Sequence, residues 1–317
     1  MARPRIALFA GDPAGIGPEL VARLLADGTA ARRAEIVLIG SRAALEDGMR
    51  IAGRRFLEPR LADWNGLDDR DFTRGVAGAA NGRHMLAGLA HAVALFKAGD
   101  VEALCFAPLN KSALRAGGMQ HPDELHWFRE ALDFDGACVE LNVLETLWTS
   151  RVTSHVPLAA VAASITRDNV AESIALIHAS LVRAGIARPR IAVCGLNPHN
   201  GDNGAFGREE IDVIAPGVEM ARVRGIPAEG PFPADTIFVR ATRKDGGYDG
   251  VVTMYHDQGQ IAMKLLGFDR GVTVQGGLPM PITTPAHGTA YDIAGRGVAN
   301  DGAMRNAFDL ACRMAAG

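Results

Sequence analysis

Short apolar runs and helix-spaced apolar positions alternate along the chain. Arg5-Ile-Ala-Leu-Phe-Ala10 reads as a buried strand, followed by the loop Gly11-Asp-Pro-Ala-Gly-Ile-Gly-Pro-Glu19 and a helix over about Pro18–Ala26. Pro18 suits a first helical turn, where a missing N–H costs nothing. Glu35–Gly40 predicts a second strand, and Ser41 caps a helix to about Ile51. Residues 53–76 are charged and irregular, as a surface segment would be. Leu86, Leu89, Val93 and Phe96 recur at helical spacing within Asn81–Gly99, and Val101–Phe106 is a third strand.

The second half repeats the alternation. Leu144–Ser154 reads as a strand, and Asp168 as the cap of a helix reaching Gly185, with Val170, Ile174, Ile177 and Leu181 on one face. Arg190–Gly195 and Gly250–Met254 are further buried strands. The helix Glu209–Arg224 must kink or split at Pro216. Gly230–Thr236 is a proline-rich turn carrying Asp235, and a final helix ends at Ala316. Strands alternating with helices predict an α/β fold built on parallel sheet.

Composition narrows the function classes. The formal net charge of −3 carries no basic footprint for nucleic acid. No apolar run reaches membrane-spanning length and none resembles a secretory signal, which predicts a cytoplasmic protein with no membrane partner. Cys105, Cys138, Cys194 and Cys312 lack CxxC spacing, and we expect buried, reduced thiols. His84, His91 and His178 lie within helices and are expected to be structural. Lys111, at the end of the third strand, is either an anion ligand or a solvated lysine.

Chemistry concentrates where strands end. Thr253-Met-Tyr-His-Asp-Gln-Gly259 places four polar side chains after an apolar strand, and Lys264 follows. His155, His199 and His256 each come after such a strand, and carboxyl ends of strands line the ligand crevice of open α/β sheets. Three imidazoles there could hold a borderline divalent metal or could be unrelated polar tips. The loop Gly11–Glu19 is neither GxGxxG nor GxxxxGK, so a phosphate loop is not licensed; its glycines allow close approach to a ligand or to another loop.

Five motifs in order carry a resemblance: Gly11–Glu19, Cys194-Gly-Leu-Asn-Pro-His199, Pro233-Ala-Asp-Thr236, Met254–Gly259, and His287-Gly-Thr-Ala290 with Ala294-Gly-Arg-Gly297. Together they resemble the 4-hydroxythreonine-4-phosphate dehydrogenase (PdxA) family over nearly the whole chain. The resemblance implies two α/β/α domains around a central cleft, as in isocitrate and isopropylmalate dehydrogenases: residues 1–121 with 283–317, and 122–282. It implies oxidation of a secondary alcohol in a hydroxy acid by NAD or NADP with a divalent metal (Zn, Mg, Mn or Co), then decarboxylation. It makes His155, His199 and His256 metal ligands, drawn from both chains of a homodimer with shared active sites. Asp235 and Lys264 would contact substrate, Lys264 serving the charge or proton on the reacting oxygen. His287, Gly288, Thr289, Asp292 and Asn300 would hold the dinucleotide.

The recognition end departs from the family. Glu124 and Leu125 stand at its substrate-contacting His and Thr, Thr273 at its Asn, and Ile282 at a phosphate-holding Arg. Loss of a bidentate phosphate partner is not conservative; His126 could compensate in part. The expectation is a paralogue with a different hydroxy-acid substrate. The alternatives are a cis-dihydrodiol carboxylate dehydrogenase, a phosphate acetyltransferase-like acyltransferase, and a non-catalytic binding protein.

Overall fold

A computed structural model describes residues 3–55, 60–62, 72–145, 147–243, 245 and 247–317. Its strands are β1 (Arg5–Phe9), β2 (Glu35–Ile39), β3 (Arg60–Leu61), β4 (Ala103–Phe106), β5 (Val139–Leu144), β6 (Leu147–Arg151), β7 (Ile191–Cys194), β8 (Ala228–Phe232), β9 (Gly250–Thr253), β10 (Val272–Gly276) and β11 (Ile282–Pro285). The chain divides into two compact units: residues 1–135, 269–274 and 278–316 form the first, and 136–268 with 275–277 and Gly317 the second.

The first unit orders its strands β3-β2-β1-β4-β11-β10. All neighbours are parallel except β10 and β11. Ile6, Ala7, Leu8 and Phe9 of β1 have no exposed surface, which is why that segment is a continuous apolar run rather than an alternating one. The helix Gly17–Leu25 carries Pro18 in its first turn, as predicted. Ser41 Oγ accepts from Ala44 N at 3.1 Å and caps Arg42–Ala52. Most of the segment 53–76, expected to be irregular surface, lies outside the described residues.

This unit also takes in 122–135, which the resemblance assigned to the other domain. The helix Glu124–Ala131 buries Phe128 completely, with its ring 6.1 Å from that of Phe106. Trp127 packs on Met85, Ala113, Leu114 and Met119. Those aromatics anchor the segment to the first core.

The second unit orders its strands β5-β6-β9-β7-β8. The segment Leu144–Ser154, expected as one strand, holds β6 (Leu147–Arg151) but begins on the last residue of antiparallel β5, with Glu145 at φ 52° between them. The helix Arg167–Arg183 is capped by Thr166 rather than Asp168: Thr166 Oγ1 accepts from Asn169 N, and Asn169 Oδ1 accepts from Thr166 N. This reciprocal pair satisfies two end groups where Asp168 could satisfy one. Pro216 does split its helix; a π-helical turn, Glu210–Ile214, precedes the α-helix Ala215–Val223. The Gly230–Thr236 stretch is a strand end followed by the helix Ala234–Ala241, with Asp235 in its first turn.

Cys105, Cys194 and Cys312 are buried, and burial pushes the Cys194 thiol up to about 12. These are inert thiols. Among the described residues no helix is long and apolar enough to cross a membrane.

Candidate active site

In the second unit β6, β9 and β7 are consecutive parallel neighbours, although they are far apart in the chain. Their carboxyl ends therefore share one edge, and His155, His256 and His199 are the histidines that follow them. The rings of His155 and His256 lie 5.9 Å apart, centroid to centroid. His199 lies beside Phe206, at 6.3 Å. Among the described residues no three His, Cys, Asp or Glu side chains of one chain stand close enough to hold a metal ion. The structure thus pairs two of the three histidines and leaves His199 outside the pair.

His256 opens the helix His256–Gly267. Its Nδ1 is 2.7 Å from Asp257 Oδ1. A carboxylate there keeps the proton on Nδ1 and leaves the Nε2 lone pair available. Gln258 closes the turn: its Oε1 accepts from Met254 N at 2.7 Å, and its Nε2 donates to Gly195 O at 2.9 Å. That pair of bonds ties the His256 helix to the end of β7, before the His199 loop. Gln260 and Lys264 follow His256 at successive four-residue steps and share its helix face. Lys264 and Asp235 are both exposed.

A second network joins the elements that carry the histidine pair. Arg151 is buried; its Nη1 donates to Asn142 Oδ1 at 3.0 Å, Nη2 to Glu140 Oε2 at 2.9 Å, and Nε to Ser154 Oγ at 2.9 Å. Gln260 Nε2 donates to the same Asn142 oxygen. The group links β5, the turn before His155 and the His256 helix. Our reading of the sequence missed it. The available signal was an arginine closing the otherwise uncharged strand Leu147-Trp-Thr-Ser-Arg151.

The remaining expected site residues lie in the first unit. Glu124 and Leu125 are half-buried at the start of a helix that Asp123 caps by accepting from His126 N at 3.0 Å. Burial pushes the Asp123 carboxyl up, but its bonds to His126 N and Nδ1 and the nearby charges outweigh this and hold it below the usual range. His126 is therefore engaged with its own cap, at 2.6 Å from Nδ1. Thr273 is buried opposite Thr284 in the β10–β11 pair. Ile282 is completely buried in β11. It offers no exposed atom to a ligand, so the position expected at the recognition end is core.

The segment 287–300 is fastened by the loop Gly11–Glu19. Ile16 N donates to Thr289 O at 3.1 Å. A Cβ on Gly15 would stand 2.9 Å from Thr289 Cβ, so the close approach expected of this loop is made to another loop. Asp12 is fully buried and accepts from Tyr291 Oη at 2.5 Å, Asn81 Nδ2 at 3.1 Å and Ala14 N at 2.9 Å. Burial raises its pKa, and these bonds only partly oppose that. Burial and the adjacent Asp12 also raise Tyr291, so the phenol keeps its proton and donates it. Glu19 Oε1 accepts from Ala299 N and from Arg23 Nε, and Arg23 Nη2 reaches Gly297 O. Within the segment, His287 Nδ1 lies 3.0 Å from Gly288 O, Gly288 and Asp292 are exposed, and Asn300 Oδ1 caps the last helix at Gly302 N.

Residues 32–311 match the family described as "Pyridoxal phosphate biosynthetic protein PdxA". The chain belongs to this family. A Pseudomonas aeruginosa protein named "Putative 4-hydroxythreonine-4-phosphate dehydrogenase 2" is 57% identical, over 98% of this chain and 97% of that one. The D-threonate 4-phosphate dehydrogenase of Cupriavidus necator is 39% identical over 98% of each chain. The crystal structure of a Klebsiella pneumoniae 4-hydroxythreonine-4-phosphate dehydrogenase superposes with a TM-score of 0.84 at 34% identity, covering 99% of this chain and 98% of that one. A β-decarboxylating dehydrogenase from Thermococcus kodakarensis, 15% identical, shares the fold at a TM-score of 0.50 over 95% of this chain and 80% of that one. PdxA membership and the α/β fold shared with that β-decarboxylating dehydrogenase therefore agree.

Proposed function

We propose that this chain is an NAD(P)-dependent dehydrogenase that requires a divalent metal and oxidises the secondary alcohol of a small hydroxy acid, with loss of CO2 from the β-keto acid formed. The observation that carries this reading is the His155–His256 pair, 5.9 Å apart at the ends of neighbouring parallel strands. Two imidazoles at that spacing suit one ion with nitrogen bonds of about 2.1 Å. His199, which belongs to the same strand edge, is the third donor, and the resemblance implies that a homodimer brings the three together from two chains.

When bound, the metal would act as a Lewis acid on the substrate oxygen and the dinucleotide would accept the hydride. The chain supplies the rest. Asp257 keeps the His256 Nε2 lone pair free for ligation. Lys264, on the His256 helix face, presents a cation to the oxygen on which charge develops. Asp235 supplies an acceptor for a substrate hydroxyl or ammonium group. In the first unit, Asp292 exposes a carboxylate of the kind that accepts from ribose hydroxyls, and Gly288 leaves its backbone open to a ligand.

The substrate differs from that of the vitamin B6 enzymes. Glu124 adds a negative charge where the resemblance puts a histidine, and the position of a phosphate-holding arginine is the buried Ile282. Like charge beside a phosphate disfavours binding. Family relatives named for D-threonate 4-phosphate are in keeping with such divergence among hydroxy acids.

The test is NAD(P)H formation over a panel: 4-phosphohydroxy-L-threonine, D-threonate 4-phosphate, unphosphorylated hydroxy acids and a cis-dihydrodiol carboxylate, each with and without chelator. Chelator-sensitive oxidation of a hydroxy acid other than the first is expected. Chelator-insensitive turnover refutes the metal role, and efficient turnover of 4-phosphohydroxy-L-threonine refutes the substrate assignment.

A further inference from the structure

His199 sits in an unusual stretch of backbone. Five consecutive residues, His199 to Asn203, have positive φ (52°, 59°, 79°, 41° and 54°), and only Gly201 among them is a glycine. Non-glycine residues visit this region singly rather than in runs. A run of this kind persists only where its surroundings determine it.

A buried carboxylate holds the start of this loop, and Asn197 Nδ2 also donates to Glu209 Oε2 at 2.7 Å. Glu210 is 3% exposed and starts the π-helical turn Glu210–Ile214. Its Oε1 accepts from the backbone N–H groups of Leu196 and Asn197, each at 2.7 Å. Its Oε2 accepts from Asn197 Nδ2 at 3.0 Å, and Asn197 O in turn accepts from Asn200 N at 3.1 Å. A Cβ on Gly201 would lie 2.7 Å from Oε2, so the left-handed stretch folds directly over the carboxylate. Single π turns inside helices occur often at functional sites; this one aims Glu210 into the loop that carries His199.

We infer that Glu210 is a positioning residue for metal binding: it holds the 196–203 loop in the strained shape that presents the His199 imidazole. This rests on the metal reading above. A glutamine would keep one acceptor oxygen but set an NH2 group against the Asn197 amide, donor to donor. An alanine would leave two backbone N–H groups without their acceptor. Outer-shell partners that bond a ligand directly change metal affinity by about 10- to 100-fold, and Glu210, acting through the loop, is set at the lower end of that range.

The experiment uses the full chain, wild type, Glu210→Gln and Glu210→Ala, stripped with chelator and titrated by calorimetry with Zn2+ or Mn2+ alone. Hydrogen exchange and melting are followed on the metal-free proteins. Glu210→Gln is expected to bind at least about tenfold more weakly, with faster exchange confined to 196–204 and a melting midpoint close to wild type. Glu210→Ala binds more weakly still. Should Glu210→Ala not fold, Asn197→Ala, which removes the side-chain bonds to Glu210 and Glu209 but keeps the backbone N–H bonds, is expected to weaken binding in the same direction. Wild-type affinity in Glu210→Gln overturns this inference and leaves the functional reading standing. A fall in melting midpoint that spreads through the whole second unit overturns it as well, because the residue would then be a fold determinant. Absence of metal binding by wild type overturns the functional reading, and the inference with it.

Discussion

His84 gives the chain a pH-dependent stability that can be calculated. It lies in the helix Ala79–Lys97, is 3% exposed and stacks on Phe9, with ring centroids 6.4 Å apart. Burial lowers its pKa from 6.5 to about 4. The unfolded chain therefore takes up a proton near pH 6.5 that the folded chain refuses until about pH 4. Stability rises with pH wherever the unfolded state binds more protons. The contribution of a neutral His84 is complete above pH 6.5 and is lost as the pH falls from there towards 4. At about 1.4 kcal/mol per pH unit, this interval amounts to roughly 3 kcal/mol. The assay is urea unfolding of wild type and His84→Leu at matched pH values, with native-state exchange of the helix amides as the local readout. Subtracting the two curves removes the other titrating groups. The difference should be flat above pH 7 and slope steadily below it, the variant losing less. Parallel curves between neutral pH and pH 4 would refute the reasoning and show that His84 is protonated in the folded state.

Other consequences follow from packing and from the site. Phe128→Ala should destabilise the first unit by about 3–5 kcal/mol, because a fully buried ring leaves a cavity; urea midpoints measure this. Gly15→Ala drives a methyl group into Thr289 and should raise KM for the dinucleotide by about tenfold with little change in melting; an unchanged KM would remove segment 287–300 from cofactor binding. His256→Ala should abolish chelator-sensitive turnover and reduce bound metal in elemental analysis, whereas His178→Ala, at a helix position away from the strand ends, should leave both intact.

The strands β1, β2, β4, β7 and β9 were legible because each is an apolar run flanked by turn residues, the mark of a strand covered on both faces. The strand β5 was not. Glu140 and Asn142 interrupt it, and their reason for being there, the Arg151 network, exists only once β5 and β6 are paired. The helix starting at Arg167 shows the same limit: Asp168 is a plausible cap by residue type, but the reciprocal bonds of Thr166 and Asn169 decide the boundary. At the candidate site, the three histidines could be found from their positions after strands. That Ile282 is core, and that Asp123 engages His126, could not be found there, since burial and pairing are properties of neighbours far away in the chain.

What the sequence by itself determined is the alphabet of the fold: where strands and helices fall, that polar residues cluster at strand ends, and which family pattern they follow. Local periodicity and turn chemistry carry that information because they act over a few residues. Only the tertiary structure decided the order β6-β9-β7, which joins the ends of segments about a hundred residues apart and sets His155 beside His256. It alone decided the left-handed path from His199 to Asn203, which passes over the Glu210 carboxylate and persists only where its surroundings determine it.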